Sequence, residues 1–351
     1  MVLQDLWFGL VAVLWAGFFL LEGFDLGVGM LLPFVAHDDE ERRIALGTIT
    51  PVWDGNEVWL LVAGGATFAA FPEWYASAFA GLYLALALVL AGLILRGIGI
   101  EYRGKVATEK GRAWCDRALF VGSLLPSVLL GVAFANFVRG LQMNAAHVVT
   151  GGFWDLLSPY ALLGGLVTTA LFAFHGSVFL QLRTEGPVRE QARKATGWLA
   201  VPLVVLAVGF FVASFFVRGD ALTVALSIVI AVAVLAAIEL VRIGREGWAF
   251  AATGLASVLV PVFVFASLWP DVLPARNNPA WSLTVRNASS SHYTLKVMTV
   301  VALIMTPVVL GYQIWTYWVF RARVTGERVT PLAERRAART SANEAYRVSD
   351  A

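Results

Sequence analysis

The sequence is poor in charged residues, cysteine and histidine. Asp, Glu, Lys and Arg make up 14% of the 351 residues, whereas they make up about a quarter of an average soluble domain. The single cysteine, Cys115, excludes an intrachain disulfide and a cysteine-based metal or iron–sulfur site. The formal net charge of +2 does not indicate nucleic-acid binding. The chain also lacks a Walker A motif, an HExxH motif and a strand-linked GxGxxG motif, so it carries none of these marks of soluble enzymes.

Long apolar runs dominate the chain instead. Hydrophobic residues make up 59% of it, and a membrane-spanning helix needs about 20 mostly apolar residues. The long apolar runs are 7–34, 51–71, 75–99, 115–138, 158–182, 197–217, 221–242, 248–269 and 295–320. We therefore predict an all-α polytopic membrane protein with nine transmembrane helices. The first run lacks a basic segment and a small-residue cleavage site, which predicts a retained helix rather than a signal peptide.

The distribution of basic residues predicts the orientation of these helices. If the N-terminus lies outside, 21 of the 26 lysines and arginines fall in the inner loops and the C-terminal tail. Loops on the cytoplasmic side of a membrane carry an excess of Lys and Arg. The sequence therefore predicts an outer N-terminus and a cytoplasmic C-terminus.

A weak internal repeat is visible in the apolar segments. Residues 18–33 resemble residues 171–187, and the alignment places Glu22 opposite His175. The similarity predicts two four-helix bundles related as a parallel repeat, with a pseudo-axis along the membrane normal. Chance similarity between helices rich in Leu, Val, Ala and Gly is the alternative explanation.

The predicted domain organisation follows from these helices. The parts are the first four-helix bundle (1–140), the second four-helix bundle (141–270), an outer loop with the ninth helix (271–325), and a disordered cytoplasmic tail (326–351). The tail is charged and has no apolar periodicity, which is typical of disorder.

Two acidic residues interrupt the first apolar run. Glu22 and Asp25 lie in the segment LEGFDLGVG and, being three residues apart, share one face of a helix. A charged side chain inside a bilayer costs at least a few kcal/mol, so such residues are usually paired, solvated or functional. A proton relay and a buried ion pair are both consistent with Asp25.

A second acidic pair opens the second apolar run, in the segment PVWDGNEVW. Acids in the first turn of a helix complement its dipole, so capping alone could explain Asp54 and Glu57. The predicted topology, however, places this pair in the inner half of the membrane, as it does Asp25. We therefore expect the four carboxylates to lie near each other, where a cytoplasmic proton path would begin.

Two further polar residues lie in or beside the spans. Arg96 either snorkels to the interface or is a buried partner for Asp25, and the similar predicted depth favours the pair. His175 is the one histidine inside a predicted span, which allows at most one haem ligand. We expect a hydrogen-bonded histidine packed between helices, and no metal site.

Several motifs together resemble a known family. They are EGFDLGVGML, PVWDGNEVWLLVAGGATFAAFPEWYA, RGIGIEYR, GSLLPSVLLGVAFAN, HGSVFLQLRTEG and TPVVLGYQIWTYWVF. The chain resembles subunit II of the cytochrome bd-type quinol oxidases over residues 5–325. The resemblance implies a bacterial plasma-membrane subunit that works with subunit I in the oxidation of quinol by dioxygen. It places the b-type and d-type haems and the quinol site in subunit I. It implies no cofactor bound directly to this chain, and it leaves open whether a structural quinone binds here.

The resemblance also implies roles for particular residues. It implies a proton path through Asp54, with Asp25 as a further candidate and Glu22 at a position that stays acidic in the family. Trp59 matches a tryptophan that lines an apolar dioxygen route in some members. Glu57 stands where some members have Gln, so the resemblance gives it no essential role.

A different class of function fits the same residues. A proton-coupled secondary transporter would also place carboxylates inside a helical membrane protein. Such transporters usually have broken helices at a midplane binding site. The sequence contains no matching pair of Gly/Pro-interrupted spans, which favours the oxidase subunit.

Overall fold

The computed structural model describes residues 2–326 of the chain, and these residues are almost entirely helical. The predicted disordered tail lies, apart from its first residue, outside the described residues. The helices are α1 Val2–Val35, α2 Asp39–Gly47, α3 Trp53–Ala70, α4 Pro72–Gly81, α5 Tyr83–Arg103, α6 Glu109–Arg139, α7 Phe153–Leu156, α8 Pro159–Arg183, α9 Gly186–Arg218, α10 Ala221–Arg242, α11 Glu246–Leu268 and α12 His292–Val319. Two short antiparallel strands, β1 Asp271–Leu273 and β2 Leu283–Thr284, lie in the loop before α12.

Eight of the described helices are long and apolar enough to cross a membrane: α1, α5, α6, α8, α9, α10, α11 and α12. The prediction of an all-α, multi-pass membrane protein is therefore confirmed. The second predicted span folds as α3, which is not among the eight, because Asp54, Asn56 and Glu57 occupy its first turns and lower its hydropathy. The total of nine transmembrane helices therefore remains a prediction.

Two interruptions of helical structure, at Phe71 and Leu82, separate the second predicted span from the third and divide the third. Phe71 leaves the helical region, with φ −136° and ψ 67°, and ends α3. Pro72 then begins α4, because proline suits the first position of a helix, where no N–H is needed. A second break at Leu82 separates α4 from α5. The apolar run 75–99 thus contains parts of two helices.

Helix α1 is the centre of the molecule and packs against α3, α6, α8 and α11. Its crossing with α8 is close because both helices have glycine there. A Cβ atom on Gly27 would lie 2.0 Å from the carbonyl oxygen of Phe172, and one on Gly176 would lie 2.5 Å from the carbonyl carbon of Gly27. Small residues allow this approach of two helix backbones in a membrane protein.

Ion pairs join the helices at the end of the molecule where α1 ends. Arg103, the last residue of α5, contacts Asp116 of α6 at 2.5 Å (Nε–Oδ1) and Asp39 of α2 at 3.0 Å (Nη2–Oδ1). Arg42 of α2 reaches the other oxygen of Asp116 at 2.7 Å. This network holds the loops between α1 and α3 and between α5 and α6 together.

The opposite end is covered by the loop between α11 and α12. The loop contains both strands and a short 3₁₀ helix, Pro279–Trp281, where the sequence predicted a long outer loop. The backbone N–H of Ser290 donates to the carbonyl of Ala70 at the end of α3 (2.8 Å). This contact fixes the start of α12 beside α3.

One contact bears on the predicted repeat. The alignment that pairs Glu22 with His175 also pairs Phe19 with Phe172, and these two rings contact each other with centroids 5.1 Å apart. Equivalent residues that meet in this way would lie on a pseudo-axis between α1 and α8. The two-bundle arrangement stays a prediction.

Candidate functional site

The site begins with the acids of α1. Glu22 and Asp25 are fully buried. Because they are three residues apart on an unbroken helix, both carboxylates lie on one side of α1, where they meet polar groups of α3 and α5. The helix continues through this segment because the flanking residues are apolar and α1 is packed on several sides.

Arg96 of α5 supplies the positive charge of the site. It is 0% exposed, and its Nη1 group bonds the carboxylate of Glu22. The same nitrogen lies 3.3 Å from Oε2 of Glu57. Asp25 is more distant, at 3.9 Å between its Oδ2 and Nη2 of Arg96. The expected ion pair of Asp25 with Arg96 is therefore present as a long contact, and Arg96 makes its shorter contact with Glu22.

Asn56 of α3 is the partner that Asp25 has instead. Its Nδ2 group donates to Oδ2 of Asp25 at 2.7 Å and contacts the Leu21 carbonyl at 3.4 Å. Its Oδ1 atom accepts from Gln313 (3.0 Å) and from the Tyr317 hydroxyl (2.9 Å), both on α12. A single buried amide thus connects α1, α3 and α12.

Sequence reasoning missed Gln313 and Tyr317. The signal was present in the segment TPVVLGYQIWTYWVF, where polar side chains interrupt an apolar run four residues apart and so share a helix face. From the sequence alone, an aromatic residue near the end of a span is expected to lie in an interfacial aromatic belt. The contact of Tyr317 with Asn56 places it inside the protein.

Charge is unbalanced in this cluster. We use the term acid cluster for Glu22, Asp25, Glu57, Arg96 and Asn56, which contain three carboxylates and one guanidinium. Among the described residues, Oδ1 of Asp25, Oε2 of Glu22, and Nε and Nη2 of Arg96 have no hydrogen-bond partner. Buried polar groups in this situation are usually satisfied by ordered water.

Asp54 lies outside the acid cluster. It is exposed in the first turn of α3 and makes no hydrogen bond or ion pair within the described part of the chain. The helix begins at Trp53, not at Pro51 as expected, and no side chain caps its N-terminus. Asp54 is one helical turn before Glu57, so the two share a face of α3.

Glu57 connects the acid cluster with the surface. Its side chain is 25% exposed, whereas those of Glu22, Asp25 and Arg96 are fully buried. Glu57 also borders a groove of about 700 Å³. The groove is bounded mainly by apolar residues of α3, α4 and α5: Leu61, Phe68, Tyr75, Phe79, Tyr83 and Leu90.

Trp59 is half-buried and packs on α1. A Cβ atom on Gly17 would lie 2.3 Å from the Trp59 ring, so the indole occupies the space that this glycine leaves. Its neighbours Leu60 and Leu61 border the groove, whereas Trp59 does not. Trp59 therefore packs inward, against α1.

His175 is packed and hydrogen-bonded. One ring nitrogen lies 2.7 Å from the Thr253 hydroxyl, and the other lies 3.1 Å from the Leu20 carbonyl. The ring also stacks on Phe250, with centroids 4.8 Å apart. Both nitrogens are therefore occupied, and this residue does not fit an axial haem ligand. The described residues also contain no group of three or more His, Cys, Asp or Glu suited to a metal ion.

Fold and site together define a polytopic helical membrane protein with a buried acidic centre. The family model for cytochrome bd terminal oxidase subunit II matches residues 3–320. The chain is 42% identical over 328 residues to cytochrome bd ubiquinol oxidase subunit 2 of Bacillus subtilis, covering 92% of this chain and 97% of the relative. It is 36% identical over 369 residues to cytochrome bd-I ubiquinol oxidase subunit 2 of Escherichia coli strain K12, covering 93% and 97%.

A solved structure shares the fold. The bd oxidase of Geobacillus thermodenitrificans contains a chain that matches with a TM-score of 0.74 at 18% identity, covering 91% of this chain and 99% of that one. The chain belongs to the cytochrome bd terminal oxidase subunit II family, as its motifs predicted.

Proposed function

We propose that this chain is the haem-free subunit of a quinol:dioxygen oxidoreductase and works with subunit I. The curated relatives are named as subunits of ubiquinol oxidases and match nearly the whole chain. The one histidine inside a predicted span, His175, has both ring nitrogens hydrogen-bonded, which supports haem binding by the partner. The b-type and d-type haems of the partner supply the redox chemistry when bound.

The proposed topology has nine spans, with the N-terminus outside and the C-terminus in the cytoplasm. Helix α3 is the ninth span. Its polar first turns lower its mean hydropathy below that of the other eight. The excess of basic residues at the end where α1 ends supports this orientation. In it, the acid cluster lies toward the cytoplasmic side.

The composition and burial of the acid cluster support a proton path. One guanidinium cannot neutralise three carboxylates in a medium of low dielectric, so the charge of the cluster is reduced most easily by binding a proton. Asp54 is exposed, Glu57 is partly exposed, and Glu22 and Asp25 are buried. We propose that protons pass along these carboxylates in that order, with ordered water at the unsatisfied oxygens.

Each residue has a defined part in this path. Asp54 collects protons at the surface, and Glu57 passes them to the site of Arg96 and Glu22. Arg96 lowers the cost of a negative charge at Glu22 and Glu57. Asn56 orients the carboxylate of Asp25, since it donates to one oxygen and leaves the other without a hydrogen-bond partner among the described residues. Reduction of dioxygen inside a membrane requires one proton for each electron, because unbalanced charge is costly there.

Two substitutions test the path. Asp54→Asn and Glu57→Gln remove an exchangeable proton with little change in shape, and we expect each to slow quinol-driven oxygen consumption about tenfold or more. Glu101→Gln removes an exposed acid outside the acid cluster and is the matched control. The measurement is oxygen consumption by the assembled complex, with the haem content read from its visible spectrum.

The outcomes separate three roles. Slow turnover with a normal haem spectrum supports the path. Unchanged turnover in Asp54→Asn would show that Asp54 is not part of the path. Unchanged turnover in both variants would contradict the path as a whole. Loss of the haem spectrum together with turnover would mean that these residues act in assembly.

We also propose that the groove bordered by α3, α4 and α5 serves as an apolar dioxygen route. Dioxygen is apolar and enters such a groove without losing hydrogen bonds to water. Trp59 would act behind the groove wall, because it packs on Gly17 while its neighbours Leu60 and Leu61 border the groove.

The alternative function, a proton-coupled transporter, has less support. Helix α1 runs unbroken past Glu22 and Asp25, whereas transporter sites usually lie at unwound helices. Membership of the oxidase family also favours the subunit role. A visible spectrum of the complex without a d-type haem band would reopen the transporter.

A further inference from the structure

A second groove lies on the surface between α9 and α10, and none of its lining residues belongs to the acid cluster. It has a volume of about 740 Å³. Its walls include Gly197 and Val201 of α9 and Ile238 of α10, and two arginines, Arg193 and Arg242, lie at its mouth. A Cβ atom on Gly197 would have no neighbour within 4 Å, so the groove is open above this residue. The groove therefore has apolar walls and is basic at one end.

The basic end lies at the membrane boundary. Helix α10 has 22 residues, which at about 1.5 Å per residue nearly matches a hydrocarbon core of about 30 Å. Arg242 is its last residue and therefore marks the interface. Arg193 of α9 donates to the Arg242 carbonyl at 3.2 Å, so the two residues lie at the same depth. The 33-residue helix α9 extends beyond this level with its charged first turns.

The acids near this mouth leave positive charge uncompensated. Glu239 lies 3.7 Å from Arg242, and both side chains are mostly exposed, so this pair is weak. Glu190 pairs with Lys194 at 3.1 Å. Within the described residues no carboxylate pairs with Arg193. A guanidinium suits a phosphate better than an ammonium does, because its planar donors bind two oxygens at once.

We propose that this groove binds one anionic phospholipid, with its phosphate on Arg193 and Arg242 and an acyl chain between α9 and α10. The arginines supply charge complementarity at headgroup depth, and Gly197 leaves room for the chain directly below them. Basic pockets between membrane helices bind acidic headgroups in this manner. The proposal requires that α9 and α10 span the membrane and is independent of the proton path.

Binding to the assembled complex tests the site. The complex is delipidated in detergent and titrated with phosphatidylglycerol or phosphatidylcholine, and bound lipid is counted by native mass spectrometry. We expect the double variant Arg193→Gln/Arg242→Gln to bind phosphatidylglycerol about tenfold more weakly, with phosphatidylcholine unchanged. Gly197→Leu fills the groove with a side chain and should weaken both lipids. Inorganic phosphate at millimolar concentration should not displace phosphatidylglycerol.

Two variants serve as controls. Arg245→Gln removes a nearby exposed charge that does not border the groove. Gly9→Leu adds the same side chain as Gly197→Leu at another glycine with open space around it, on α1. Both should bind phosphatidylglycerol like the unaltered complex. Equal affinity in the double variant and in Arg245→Gln would overturn the proposal. So would displacement by phosphate, which would indicate a site for a free anion.

Discussion

At the scale of residues, the single cation of the acid cluster, Arg96, faces the three carboxylates of Glu22, Asp25 and Glu57. Burial of the acids of α1 and of Arg96 follows from their position in apolar runs. The preference of Arg96 for Glu22 over Asp25 depends on the rotation of α5 about its axis and on Asn56, which already occupies an oxygen of Asp25. Neither is encoded in spacing along one helix. Glu57, to which the family resemblance gave no role, proves to be the partly exposed member of the cluster.

The charge of Arg96 should hold the acid cluster together. In Arg96→Gln the carboxylates lose their one cation, and removal of one partner from a buried ion pair costs about 3–5 kcal/mol. We expect a large fall in the thermal denaturation midpoint of the assembled complex. Adding Glu22→Gln should recover part of the loss, because it removes the carboxylate left unpaired. A single variant as stable as the unaltered complex would show that the cation does not stabilise the fold.

At the scale of elements, hydropathy located the helices and left their ends uncertain. The predicted end of the second apolar run at residue 71 agrees with the end of α3, since Pro72 begins a new helix at its first position. The break at Leu82 has no such sequence signal, and the start of α3 at Trp53 differs from the expected one. The close crossing of α1 and α8 also could not be predicted, because the glycines of one helix do not indicate which other helix packs against them.

The close crossing of α1 and α8 should make the fold sensitive to a larger side chain at Gly27. In Gly27→Ala the added methyl group would overlap the Phe172 carbonyl, and both helices must shift. Overpacking of this kind costs about 1–3 kcal/mol. We expect a lower yield of assembled complex and a lower denaturation midpoint. Gly9→Ala, where the methyl group meets open space, should behave like the unaltered chain. Equal loss in both variants would count against a specific role of the crossing.

Helix α12 depends on a few polar contacts. Among its described residues only Leu295 is buried, so packing alone holds it weakly. Trp7 of α1 donates to the Leu295 carbonyl (3.2 Å) near one end, and the Tyr317 hydroxyl donates to Asn56 near the other.

Tyr317→Phe should therefore loosen the C-terminal end of α12. Loss of the hydroxyl removes one hydrogen bond, worth about 1 kcal/mol, and leaves Gln313 as the remaining contact with Asn56. We expect faster proteolysis after α12 and a slightly lower denaturation midpoint. Tyr312→Phe removes a hydroxyl that has no hydrogen bond among the described residues and should have no effect. Equal proteolysis of the two variants would contradict a tether at Asn56.

At the scale of the whole molecule, composition and motifs determined the class of protein. Low charge and long apolar runs predicted a multi-pass helical membrane protein, and the family comparison confirmed the resemblance. The partner surface could not be predicted, because an apolar residue that faces lipid and one that faces another subunit look alike in sequence. The apolar surface of α12 illustrates this ambiguity.

The proposed proton path through the acid cluster is tested most directly at Asp25. The complex is reconstituted into liposomes, fully reduced and mixed with dioxygen, while the membrane potential and the haem absorbance are followed in time. In Asp25→Asn we expect dioxygen binding at the normal rate, a normal haem spectrum, and potential generation slowed about tenfold or more. Potential generation at the normal rate in this variant would contradict the account.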